Sequence, residues 1–250
     1  MNLQNKVAII TGGARDIGKA VSLKLASEGA KVVVNYFDNE DQAIQTLKEI
    51  KSAGGDAIKV QGDMTKQEDI NNLVQKSKEA FGEEVHVLVN VAGGLVARKK
   101  LEEIDDDFLN FVMGLNFNSV VKVMRAVVPL MKSGASVINF ASQAARDGGG
   151  GGASIYAASK GAVMTFTRAM AKELGPQNIR VNALCPGMIA TTFHDVFTND
   201  GVRKNVANAT PLKREGEAAE VAGLVACLAS GETSFVTGTN IDINGGLAFS

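Results

Sequence analysis

Val7-Ala8-Ile9-Ile10-Thr11-Gly12-Gly13-Ala14-Arg15-Asp16-Ile17-Gly18 is the stretch on which the reading of this chain turns. Its first four residues are apolar without alternation, and three are β-branched, as expected of a strand covered on both faces. A glycine-rich turn follows and opens directly into residues 17–28, whose apolar positions recur at helical spacing. Gly12 has the freedom for a tight turn, and Gly18 lets the helix lie close to the strand. The free amides at the helix start then face the turn, where they suit a pyrophosphate. A strand–helix turn with no ligand has the same look, so the rest of the chain has to decide.

Outward from this unit, short apolar runs alternate with longer amphipathic ones. Strands are expected at residues 32–36, 57–61, 85–90, 137–141, 180–184 and 240–243. Helices are expected at 40–53, 66–81, 108–131, 155–174 and 218–229. Thr65 followed by Glu68 has the pattern of a capping box for the third helix. Alternation of this kind predicts an α/β fold: a single doubly wound parallel sheet of Rossmann type, with helices on both faces, over residues 1–250. Ligands then belong beyond the carboxyl ends of the strands. Residues 190–208 are polar, weakly periodic and unassigned.

The bulk properties exclude several classes. The chain has 250 residues, 45% of them hydrophobic and 21% charged, with a net charge of -1. That balance gives no electrostatic pull toward nucleic acid or an anionic membrane, and neither is expected as a partner. The N-terminus lacks a signal-peptide layout, and no run approaches the roughly 18 apolar residues of a membrane span. Cys185 and Cys227 form no CxxC pair, which fits a reduced, cytoplasmic protein. No His/Cys/Asp cluster has metal-ligand spacing, so no metal is expected.

The second strand ends in Asn35-Tyr36-Phe37-Asp38. An acidic residue at that strand end binds ribose hydroxyls and selects NAD, whereas a nearby arginine favours the 2′-phosphate of NADP. Tyr36 stands where the acid is sought, and Arg15 offers the positive charge. Asp38 lies close by. NADP(H) is the expected cofactor and NAD(H) the alternative.

Tyr156 and Lys160 are four residues apart in an expected helix and share a face. That spacing alone arises by chance in roughly a third of chains of this length. Its context gives it meaning, because Ser142 follows the preceding strand and Asn116 falls within the long preceding helix. A free tyrosine, with a pKa of about 10, is too weak an acid for proton exchange at neutral pH. A neighbouring ammonium and an oxidised nicotinamide ring both favour the phenolate. Tyr156 then gives a proton to a carbonyl oxygen while hydride reaches the carbon, or does the reverse. Ser142 hydrogen-bonds the same oxygen. Taken singly, Ser142 reads more readily as a strand-end hydroxyl capping local backbone, and Asn116 as a helix-surface amide.

With these residues in place, the chain resembles a short-chain dehydrogenase/reductase along nearly its whole length. The matches fall in family order: the turn from Thr11 to Gly18, Asp63 in Gly-Asp-Met-Thr, Asn90-Val91-Ala92-Gly93, then Asn116, Ser142, Tyr156 and Lys160. Asn182 in Arg-Val-Asn-Ala, Pro186-Gly187-Met188-Ile189-Ala190-Thr191, and the run from Asn240 to Gly246 complete them. The resemblance implies a cofactor-binding set of Gly12, Arg15, Asp16, Ile17, Gly18, Tyr36, Asp63, Met64, Asn90, Ala92, Gly93, Tyr156, Lys160, Pro186, Gly187, Ile189 and Thr191. Within it, Asp63 and Met64 would contact adenine, and Asn90 and Gly93 would line the cofactor path. Lys160 would bind the nicotinamide ribose, and Ile189 and Thr191 the carboxamide and phosphate side. Asn116 would hold a water linking Lys160 to solvent. The resemblance also implies a homotetramer paired through the two long helices, and a substrate lid over residues 190–215.

The chain departs from the family pattern at Asp16, where glycine is common, and at Val91, where a second asparagine is common. Five consecutive glycines, residues 148–152, fill the loop between Ser142 and Tyr156. Three substrate classes remain: a small carbonyl compound, a 3-oxoacyl group on an acyl carrier protein, and a keto-uronate from pectin or alginate breakdown. Gln177 stands where carrier-protein reductases often have arginine. For a carboxylated sugar, Arg146 is the candidate cation, and His194 in the lid is a further substrate candidate. Each reads more readily as an uninvolved residue, Arg146 as a solvated loop charge and His194 as a bystander in the lid. A reading of another class is a cofactor-binding sensor without catalysis, which the intact Asn116, Ser142, Tyr156 and Lys160 oppose.

Overall fold

The computed structural model describes residues 2–249. Seven parallel strands form one sheet in the order β3-β2-β1-β4-β5-β6-β7. They are β1 (Val7–Thr11), β2 (Lys31–Tyr36), β3 (Asp56–Gln61), β4 (Val85–Asn90), β5 (Met131–Phe140), β6 (Arg180–Pro186) and β7 (Asn240–Ile243). The unalternated strands predicted from the sequence are covered on both faces. In β1, Ala8 and Ile10 pack with one layer and Ile9 with the other. β2 repeats this, with Val32 and Val34 on the first side and Val33 on the second. Full burial of one such isoleucine is worth about 1.5–3 kcal/mol, so both layers contribute to holding the sheet.

The first layer comprises α1 (Asp16–Ser27), α2 (Glu40–Ser52) and α10 (Ala218–Ala229). Val21, Leu25, Ile50, Val221 and Val225 are its buried contacts. The second layer comprises α3 (Gln67–Phe81), α4 (Asp106–Met113), α5 (Ser119–Val127) and α7 (Ser154–Leu174), anchored by Ile70, Leu73, Val120, Val123 and Val163. The strand order reverses between β1 and β4, and this opens the crevice in which α/β sheets hold ligands. Register places Thr11 beside Asn90, and Asn90 beside Asn139, at the carboxyl ends of β1, β4 and β5.

The structure corrects some of the expected elements and adds others. The helix expected at 108–131 is a helical run, Asp106–Leu130, interrupted by a π turn at Gly114–Asn118, and Met131 already belongs to β5. That run is long and apolar enough to cross a membrane by length and composition, contrary to the sequence reading. Here it packs on the sheet through Val120, Val123, Met124 and Val127, and Val112 is buried as well. The Thr65–Glu68 capping box is absent: Lys66 occupies the cap position, and the Thr65 hydroxyl donates to Asp63 at 2.8 Å. The unassigned segment folds into α8 (Thr192–Phe197) and α9 (Asp200–Ala209). A four-residue helix, α6 (Ala144–Asp147), precedes α7.

Candidate active site

The glycine turn is fixed from three sides. The Gly12 amide donates to Asn35 Oδ1 at 3.1 Å, and the Gly13 amide to the Asn35 carbonyl at 2.8 Å. Asn35 in turn donates to the Gly62 carbonyl at 3.0 Å, joining the ends of β2 and β3 to the turn. The Thr11 hydroxyl accepts from the Ala92 amide at 3.2 Å, which ties the turn to the loop after β4. Gly18 meets the turn so closely that a Cβ there would stand 1.9 Å from the Gly12 carbonyl oxygen. A cradle this tight leaves the amides of α1 close to whatever anion sits over the turn, so the residues present fit a dinucleotide.

Around the turn, Arg15 is exposed and Tyr36 is buried beneath the Lys59 ammonium, which lies 5.6 Å from its ring centroid. Glu40 pairs with Lys59, and that ammonium chiefly holds its carboxyl below the usual range. Asp63 is occupied by the Thr65 amide and hydroxyl, and Met64 is buried beside it. Asp16 turns away from the amides of α1. Its carboxylate accepts from the Thr192 amide at 3.0 Å and the Thr192 hydroxyl at 2.5 Å.

Ser142 follows β5, and its hydroxyl accepts from the Ala144 amide at 3.1 Å. Tyr156 sits in the first turn of α7, near enough to Ser142 for that hydroxyl to favour its phenolate. Lys160, one turn further, is 4% exposed and donates to the Phe140 carbonyl at 2.8 Å. Its ammonium lies 5.9 Å from the Tyr156 ring centroid. Burial pulls Lys160 down to about 8 and pushes Tyr156 up, while the Ser142 hydroxyl acts to lower Tyr156. Asn116 lies in the π turn, donating to the Val112 carbonyl at 3.0 Å and the Gly94 carbonyl at 2.9 Å. Its Oδ1 accepts from the Gly94 amide at 2.9 Å. A Cβ on Gly93 would stand 2.7 Å from Asn116 Oδ1 and 3.2 Å from Lys160 Nζ, so the three residues meet at one point.

Asn90 joins the group by donating to Asn139, which itself donates to Thr167 at 3.0 Å. Pro186 ends β6, and its carbonyl accepts from the Gln143 amide at 2.9 Å. Gly187 packs against Asn244 with no room for a side chain. Ile189 is buried, and the Thr191 hydroxyl donates to the Ile189 carbonyl at 3.0 Å.

Two substrate candidates fare differently. Arg146 is committed elsewhere: its Nε pairs with Asp242 at 3.1 Å and its Nη2 donates to the Asn240 carbonyl at 2.7 Å. It joins α6 to β7 and is not a free cation at the site mouth. His194 remains in α8, with Nδ1 3.0 Å from the Thr198 hydroxyl. Burial, chiefly, and the charge of Arg203 push it below its usual value.

The sequence reading missed Asn35 and Asn139, although a lone asparagine at the end of an apolar strand was a visible signal. It also missed Phe193, whose ring centroid is 6.2 Å from that of Tyr156, because nothing local marks it. The glycine run has a structural task as well. The Arg98 guanidinium donates to the Gly151 carbonyl at 2.9 Å, and the Lys99 amide to the Gly152 carbonyl at 3.1 Å. Gly152 has φ +76°, and a Cβ there would stand 3.0 Å from the Arg98 Cβ. The run therefore seats the loop that follows β4.

Comparison with known proteins agrees with this geometry. A family model described as enoyl-(acyl carrier protein) reductase matches residues 12–248. The 3-oxoacyl-[acyl-carrier-protein] reductase FabG of Staphylococcus epidermidis is 36% identical, covering 97% of this chain and 99% of its own. A short-chain dehydrogenase/reductase from Serratia marcescens superposes with a TM-score of 0.94 at 32% identity, over 100% of both chains. A short-chain dehydrogenase from Burkholderia cenocepacia, solved in complex with NADP, superposes with a TM-score of 0.92 at 31% identity, over 99% of both chains. The chain belongs to the short-chain dehydrogenase/reductase family and is an NAD(P)-dependent oxidoreductase acting on carbonyl or hydroxyl groups.

Proposed function

We propose that this protein reduces a ketone or aldehyde, with Tyr156 as the proton donor. The observation that carries the proposal is Tyr156 beside Ser142, with the buried Lys160 ammonium 5.9 Å from its ring centroid. When bound, the nicotinamide supplies hydride to the carbonyl carbon. Ser142 and Tyr156 both donate hydrogen bonds to the carbonyl oxygen, and Tyr156 transfers its proton as the alkoxide forms. Lys160, still mostly protonated at pH 7, places a positive charge beside the resulting phenolate and favours it. Asn116 holds the loop around Gly93 and Gly94 against Lys160. Tyr156→Phe is expected to lower kcat/KM by about 10²–10⁴-fold. Turnover unchanged by that substitution rules the proposal out.

Among substrates, a 3-oxoacyl thioester stands first, because the relatives at 36% identity are 3-oxoacyl-[acyl-carrier-protein] reductases. The keto-uronate reading loses its cation now that Arg146 is paired with Asp242. NADP(H) is the proposed cofactor form. Tyr36 takes the place of the acid that selects NAD, Arg15 stands exposed on the glycine turn, and the Burkholderia cenocepacia relative was solved with NADP. A 3-oxoacyl thioester assayed with NADPH and NADH at equal concentration tests both points: faster NADH oxidation refutes the cofactor choice.

We further propose a homotetramer in the cytoplasm, with α8 and α9 acting as the substrate lid. Leu109 and Phe111 on α4 and Phe235 before β7 are exposed apolar residues that an interface would cover. The two cysteines are unpaired thiols. A sedimentation mass of one chain overturns the tetramer.

A further inference from the structure

Asp16 is the first residue of α1, and its backbone adopts a left-handed conformation with φ +50° that favours glycine. The exposed Arg15 guanidinium stands 3.9 Å from its carboxylate, and the hydrogen bonds that carboxylate accepts come from a residue 176 positions away in sequence. The six-residue helix α8 has no cap of its own, because its N-cap residue Thr191 turns its hydroxyl back to Ile189. The Asp16 carboxylate fills that role from the cofactor turn, taking both the amide and the hydroxyl of Thr192. A helix this short does not hold itself. The segment's other prominent polar anchor is Arg203 of α9, which pairs with Asp195 and Glu215. One residue beyond Thr192, Phe193 packs on Tyr156. A continuous path therefore runs from the cofactor turn through Asp16, Thr192 and Phe193 to the proposed proton donor.

We propose that Asp16 is a positioning residue that docks α8 over the site from the cofactor turn, so that Phe193 stays against Tyr156 and the carbonyl substrate meets a closed wall. This rests on the reading of Tyr156 as proton donor. With both carboxylate oxygens engaged by Thr192, docking of α8 is set by the protein before any substrate arrives. Asp16→Gly removes the cap and suits the backbone, so it folds. Asp16→Asn keeps an oxygen for the Thr192 amide but loses the charge, and Thr192→Val loses only the hydroxyl contact.

The test is hydrogen exchange in the ligand-free protein, followed through peptides covering residues 191–198. Asp16→Gly is expected to speed exchange there about tenfold, the scale of losing charge-assisted hydrogen bonds, with β1 and α7 unchanged. Asp16→Asn falls between wild type and Asp16→Gly, and adding Thr192→Val to Asp16→Gly has no further effect. In turnover assays, Asp16→Gly raises KM for the carbonyl substrate about tenfold and lowers kcat by less than that. Wild-type exchange in Asp16→Gly, or fully multiplicative effects of the two substitutions, overturns the proposal. Exchange is read without substrate, so a wild-type protein that reduces no carbonyl refutes the reductase reading while the docking of α8 is still decided.

Discussion

Lys160 shows how one residue serves chemistry against stability. Its ammonium is almost fully buried, with the Phe140 carbonyl as its hydrogen-bond partner. Burial brings it from 10.5 to about 8, each unit being worth about 1.4 kcal/mol. The sign follows from proton uptake. Between pH 8 and 10.5 the unfolded chain binds more protons than the folded one, so this residue makes stability rise with pH across that window. Below pH 8 the cost of the buried charge is carried in full. Lys160→Met, of similar length and apolar, is therefore expected to leave the thermal midpoint unchanged or raised at pH 7 and to flatten the rise above pH 8. The same variant should lose about 10²–10⁴-fold in kcat. A variant that melts well below wild type at pH 7 contradicts this account. The Tyr156–Lys160 spacing was legible in the sequence. The carbonyl that holds the ammonium was not, since Phe140 offers only its backbone.

At the scale of elements, α1 and the turn before it depend on a missing side chain. A Cβ on Gly18 would overlap the Gly12 carbonyl, backbone that has no flexible end to yield. Gly18→Ala must push α1 away from the turn, at a cost of about 1–3 kcal/mol typical of overpacking. The urea midpoint is expected to fall accordingly, and nicotinamide cofactor binding by calorimetry to weaken at least tenfold. Retention of both would show that the turn tolerates a wider approach than its geometry allows. The need for Gly18 was readable from the sequence pattern, as were β1 and the boundaries of α10 at residues 218–229. The π turn was not, because it comes from Asn116 bonding both to its own helix and across to Gly94. Helical periodicity in residues 106–130 carries no trace of that distant partner. The segment after β6 was unreadable for a related reason: α8 is capped by a residue from the first turn of the fold.

For the molecule as a whole, the histidines set how stability responds to mild acid. The Val7 amide donates to His86 Nδ1 at 3.1 Å, which requires that nitrogen to be unprotonated. Burial, with Lys6 adding to it, pushes His86 below 6.5, and His194 moves the same way. The unfolded chain then takes up protons first, so stability is lost as pH falls from about 6.5 through the folded values. Glu49 and Glu220, held low by Lys19 and Arg214, add their loss only below about 4.5. The urea midpoint is expected to be lower at pH 5.5 than at 7.5. His86→Gln, whose amide oxygen still accepts from Val7, should shrink that difference, and an equal drop in both proteins would remove His86 as its source.

The sequence by itself determined the parallel sheet, its two helical layers, the glycine turn and the order of Asn116, Ser142, Tyr156 and Lys160. These are matters of local periodicity and short spacing, which a chain carries wherever its neighbours lie. Only the tertiary structure decided which partners the charged groups take. It gave Arg146 to Asp242, Asp16 to Thr192, and Lys160 to a backbone carbonyl. Such partners lie from 20 to 176 residues apart, and a charge meets them only after the strands have brought separate loops to one edge of the sheet.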